Sequence, residues 1–167
     1  MSLTFEVFGT PIPKGSTKAF MRPGMRFPIV THDNLKTKPW QEAVVAAAME
    51  ARARDGDLPV ETPVVLALRF FLPRPKSAPR RVTVPAKKPD LDKLVRCVKD
   101  GLTRAGVYVD DAQVIETHAR KDFAAGLMDP EGEDGIPRVH IEVEPMAPIP
   151  AQTAPRSYVM SSLFDGL

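Results

Sequence analysis

One cysteine in 167 residues leaves Cys97 with no partner inside the chain, which excludes an intramolecular disulfide and fits a reducing cytoplasm. No run of 18 or more apolar residues occurs, so no membrane span and no membrane partner are expected. The N-terminal MSLTFEVFGT has no basic region followed by an apolar stretch, so no secretory signal is read there. His32, His118 and His140 show no ligand spacing with one another or with Cys97, which argues against zinc. There is no internal repeat.

The most informative absence is of acid. None stands between Glu6 and Asp33, a stretch that carries Lys14, Lys18, Arg22 and Arg26. None stands in PRPKSAPRRVTVPAKKP, residues 73–89, which holds Arg74, Lys76, Arg80, Arg81, Lys87 and Lys88. The net charge of +2 thus hides a segment of +6, leaving about −4 elsewhere (2 − 6). Charge of each sign is therefore placed along the chain; a basic run of this kind is ordinarily a solvated one unless something beside it gives it a partner.

What is present reads as one α/β (α+β) domain with a mixed sheet of about four strands and two main helices. Leu3 to Phe8 alternates and predicts a strand. GTPIPKGSTKAFMRPGMRF reads as a Gly/Pro-punctuated loop. Trp40, Val44, Ala47, Ala48 and Ala51 mark an amphipathic helix over 39–54, with Pro39 in its first turn and Trp40 in the core. TPVVLALRFFLP predicts a buried central strand. Leu91, Leu94, Val95, Val98, Leu102 and Ala105 share one helical face, ended by Gly106 as a C′ residue. Strands follow over Val114 to about Phe123 and over RVHIEVEP, where Val139, Ile141 and Val143 face inward. The domain is assigned to residues 1–145. Residues 146–167 form a Pro/Ala/Ser-rich tail, in which SSLF (161–164) loosely resembles apolar peptides that bind bacterial sliding clamps.

The acids cluster at element boundaries. KKPDLDKL places Asp90 and Asp92 directly after the basic loop and before the second helix. Two helical residues two apart diverge by about 200°, but Pro89 favours an extended entrance at which both carboxylates can converge. Asp92 and Arg96 stand one turn apart on the polar stripe. Asp110 and Asp111 follow the helix. Either Asp90 caps the helix, Asp92 pairs with Arg96 and Asp110-Asp111 opens a turn, or these acids are a metal site beside a phosphate-gripping loop.

PDLDKLVRCVKDGLTRAGVYVDDAQV, residues 89–114, closely resembles the core motif of RusA-type Holliday junction resolvases, and GTPIPKGS resembles that family's Gly/Pro-rich N-terminal loop. The likeness runs from about Leu3 to Glu144. It implies a Mg²⁺-dependent endodeoxyribonuclease, with Mn²⁺ able to substitute, that works in the cytoplasm as a homodimer and resolves four-way DNA junctions by paired nicks. It makes Asp90, Asp92 and Asp111 the metal-site carboxylates and leaves the part of Asp110 open. Where the family carries a functional lysine this chain has Arg96, which keeps the charge but cannot donate a proton. DNA contacts are assigned to Lys14, Lys18, Arg74, Lys76, Arg80, Arg81, Lys87, Lys88 and Lys121. The competing reading is a structure-specific DNA-binding protein without catalysis. A phosphatase with a DxD nucleophile is disfavoured, because no apolar strand leads into the motif.

Overall fold

The computed structural model describes residues 2–15, 17–20, 24, 26–27, 29–32, 36–55, 60–124, 126 and 135–146, with the backbone alone at 17–20 and 29–32. The elements are β1 (Leu3–Phe8), β2 (Thr17–Phe20), β3 (Ile29–His32), α1 (Thr37–Asp55), β4 (Val64–Leu72), α2 (Leu91–Arg104), a short 3-10 helix (Asp111–Gln113), β5 (Val114–Phe123) and β6 (Arg138–Pro145). The residues 147–167, including the clamp-like SSLF, lie outside the described part; Met146 is tied back to the sheet by its amide on the Pro63 carbonyl at 2.7 Å.

The main sheet runs β1-β6-β4-β5, antiparallel except for the parallel β4–β5 pair. Register sets Leu3, Val143 and Leu66 side by side, then Phe5, Ile141 and Leu68, then Val7, Val139 and Phe70. All nine are buried on one face, the result of period-two alternation in three neighbouring strands. Trp40, Val44, Ala48 and Ala51 of α1 and Leu94, Cys97, Val98 and Leu102 of α2 cover that face and complete the core. The predicted sheet, both helices and the buried Trp40 are therefore observed. The stretch read as a loop carries a difference: it contains β2, which pairs antiparallel with β3 just beyond it, and these four-residue strands are too short, and too closely bounded by Gly and Pro, to give a periodic signal.

The parallel β4–β5 pair demands a crossover, and the basic loop with α2 supplies it. α2 therefore starts near the end of β4 and finishes near the start of β5. Its C-terminus closes in a Schellman motif: Gly106 has φ +67, its amide meets the Thr103 carbonyl at 2.9 Å, and the Val107 amide meets the Leu102 carbonyl at 3.0 Å. The helices pack closely at Gly101, where an added Cβ would lie 2.8 Å from a Val44 methyl. Among the described residues no helix is long and apolar enough to cross a membrane.

Candidate active site

Asp90 is the N-cap residue of α2, extended at φ −71 and ψ 135 as N-cap residues ordinarily are, and follows a cis Lys88–Pro89 peptide. Its carboxylate makes no capping hydrogen bond and instead faces the Lys93 ammonium at 3.6 Å. Asp92 and Arg96 are both exposed on the next turn, and no ion pair joins them. Asp90 thus occupies the cap position but pairs with Lys93 and not with the helix amides, and the alternative Asp92–Arg96 pair does not form.

The loop that leads into this start is held by two cations, one from β5 and one of its own. Lys121 on β5 donates to the Lys87 and Pro89 carbonyls, both at 2.8 Å, fixing the backbone just ahead of Asp90. Arg74 donates to the Val82 and Pro79 carbonyls at 2.6 and 2.9 Å and lies 5.3 Å from the Phe123 ring. Of the residues assigned to DNA contact, these two serve the loop's shape. Lys76, Arg80, Arg81, Lys87 and Lys88 remain exposed on it. The side chain of Lys18 lies outside the described residues.

At the other end of α2 the DDAQ turn divides its labour. Asp110 caps the 3-10 helix, accepting from the Ala112 amide at 2.7 Å. Gln113 returns a bond to the amides of Val109 and Asp110 at 2.8 and 3.0 Å and reaches the Val60 and Thr62 carbonyls ahead of β4. The D-x-x-Q spacing is the signature of such a capping box. Asp111 is left exposed. It borders a cavity of ≈ 540 Å³ shared with Lys14, Lys38, Asp100 and Arg104. The residue the sequence did not single out is Asp100, which holds the Lys14 ammonium in an ion pair.

Asp90 and Asp92 on one side, and Asp111 on the other, stand near opposite ends of a 14-residue helix, about 20 Å in length. Accordingly, among the described residues no three His, Cys, Asp or Glu side chains stand close enough to hold a metal ion. The donor chemistry suits a hard cation, but a single chain does not bring the three carboxylates together.

Burial and the nearby Asp100 carboxylate push the Cys97 thiol up to about 11, against a smaller opposing effect of Lys14. That marks it as core and not as a nucleophile. Burial likewise raises the Tyr108 hydroxyl, which donates to the Lys99 carbonyl at 3.2 Å.

A family model described as endodeoxyribonuclease RusA matches residues 9–144. The chain is also 27% identical over 132 residues to the uncharacterized protein YqaN of Bacillus subtilis (strain 168), a match that covers 73% of this chain and 88% of that protein.

Proposed function

This chain belongs to the RusA endodeoxyribonuclease family, whose members act on Holliday junctions, and from that premise we propose that it resolves four-way DNA junctions in recombination and repair as a Mg²⁺-dependent homodimer making paired symmetric nicks. Membership of a nuclease family sets aside the reading of a DNA-binding protein without catalysis. Nucleases of this kind generally use a divalent metal. Mg²⁺ is the cation that carboxylate, water and phosphate oxygens suit, and it is commonly held by one or two carboxylates together with substrate phosphate. When bound, it supplies positive charge to stabilise phosphoryl transfer.

The observation that carries this reading is the N-cap of α2. A carboxylate placed where a helix offers free amides, yet making no capping bond and only a 3.6 Å ion pair with Lys93, keeps oxygen lone pairs for another task. Asp92 is exposed beside it, and a loop with six cations and no acid leads directly into it. We assign Asp90, Asp92 and Asp111 to the cation, Arg96 to clamping a phosphate, and Lys76, Arg80, Arg81, Lys87 and Lys88 to the DNA backbone.

The separation of the carboxylates along α2 favours a site shared between protomers. Among the described residues β5 is an edge strand paired only with β4; its residues 115–118 are exposed, Ile115 at 57%. Two copies joined antiparallel along this edge would set the start of one β5, next to Asp111, against the end of the other, next to Lys121. Lys121 holds the backbone that carries Asp90. In that register Glu116 faces Arg120 of the other copy twice, a charge pattern that complements itself across a two-fold axis.

The test is cleavage of a synthetic four-way junction. With Mg²⁺ the protein is expected to introduce nicks at symmetry-related positions, and Asp92→Asn to bind the junction within a few-fold of wild type while cutting at least 100-fold more slowly. Undiminished cutting by Asp92→Asn would overturn the assignment.

A further inference from the structure

We infer that Lys14 is a catalytic residue, the donor of the proton taken up by the oxygen that leaves phosphorus when the DNA strand is cut. The inference rests on the endonuclease reading above. Cleaving a phosphodiester releases an alkoxide, and a positioned acid is worth roughly 10²–10⁴-fold at such a step. On the exposed stripe of α2 the cation that follows Asp92 is Arg96, and a guanidinium does not give up its proton in proteins. A nearby lysine can fill that role.

Lys14 is held at two points of the same helix. Its backbone amide donates to the Lys93 carbonyl at 2.9 Å, one residue past Asp92, and its ammonium donates to the Asp100 carboxylate, one turn past Arg96. The side chain therefore runs along α2 beside the turn that Arg96 occupies. The preceding carbonyl, of Pro13, is itself anchored by the Thr37 hydroxyl at 3.0 Å, so the loop that carries Lys14 is fixed on both α1 and α2. The side chain is 36% exposed and borders the same cavity as Asp111. An ammonium has three N–H donors, so its one bond to Asp100 leaves two for a substrate. The other cations of that cavity are placed differently: Lys38 is 82% exposed and 4.0 Å from Glu42, and Arg104 donates to Gln41 at 3.1 Å.

In the proposed step a water oxygen bonds to phosphorus and its proton passes to solvent. The bond from phosphorus to the departing sugar oxygen breaks, and that oxygen takes a proton from Lys14 Nζ. The neutral amine then regains a proton from solvent.

A purely structural Lys14–Asp100 tether would work equally well for any leaving group, and this separates the two roles. Wild type, Lys14→Arg, Lys14→Gln and, as a control, Lys38→Gln are compared on a junction with the natural leaving oxygen and on one with sulfur in its place, since a thiolate departs without a proton. Both Lys14 variants are expected to lose about 100-fold or more on the oxygen substrate and to stay within about tenfold of wild type on the sulfur one, while Lys38→Gln keeps the wild-type ratio. Equal losses on both substrates, or Lys14→Arg cutting the oxygen substrate at close to the wild-type rate, would overturn the inference. Wild-type protein that cuts neither substrate would overturn the endonuclease reading, and this inference with it.

Discussion

Asp110 and Asp111 are neighbours of one residue type in different settings: the first caps its turn, and the second is exposed and is the one assigned above to the cation. Asp110 is engaged by an amide of its own turn, so Asp110→Ala is expected to cost about 1 kcal/mol of stability, read as a lower urea midpoint. Asp111→Asn should leave that midpoint in place and abolish junction cleavage. The reverse pattern would exchange their roles. Cys97 supplies a pH dependence. Its folded value lies above the ordinary 9.0, at about 11, so the native state holds the thiol proton more tightly than the unfolded chain. The associated stabilisation is complete below pH 9 and is lost as pH rises toward about 11. Urea unfolding at pH 8 and pH 11 should show that loss, and Cys97→Ala should reduce it. At pH 7 the buried thiol is expected to resist alkylation until the protein unfolds.

At the scale of elements, α2 was the most legible part of the chain. Its apolar positions at 91, 94, 95, 98 and 102 and the Gly106 stop gave its face and its end, and the Schellman bonds account for the glycine. Gly101 carries a packing requirement that periodicity does not reveal. Its missing Cβ admits Val44, a β-branched and fully buried residue with little rotamer freedom. Gly101→Val is therefore expected to destabilise by roughly 2 kcal/mol through overpacking, despite removing a helical glycine. A circular-dichroism melt should register this as a lower Tm, and an unchanged Tm would mean the helices can separate without cost. The Lys14–Asp100 pair was illegible for a related reason. Its residues are 86 apart in sequence, and only the crossing of the N-terminal loop over α2 brings them together. The internal duties of Arg74 and Lys121 were equally hidden, because a cation that satisfies loop carbonyls has the same sequence appearance as one that awaits phosphate. Arg138 shows the same limit: at the solvent end of an alternating strand it is 5% exposed, bonded to Glu6 at 3.0 Å and 4.3 Å from the Phe71 ring.

For the whole molecule, the placed charge predicts how binding responds to salt. Each neutralised phosphate adds roughly −0.9 to the slope of log K against log salt. Replacing Lys87 and Lys88 together by alanine should make the junction-binding slope shallower by about 1.8, if each lysine meets one phosphate. Arg74→Ala should act differently, loosening the loop whose carbonyls it holds without changing the slope by a full phosphate.

The carboxylates pose the larger question. The motif places the three proposed acids along the chain, but the β4–α2–β5 crossover that sets Asp111 at the far end of α2 is a tertiary fact. The shared site proposed above makes one decisive claim, which mixing two inactive variants tests. Asp92→Asn and Asp111→Asn are each expected to be inactive as homodimers. In a mixed dimer one composite site retains Asp90 and Asp92 from one protomer and Asp111 from the other, so exchange of subunits should restore single nicks in a four-way junction with Mg²⁺. Mixed dimers that form but never nick would contradict a site shared between the two copies.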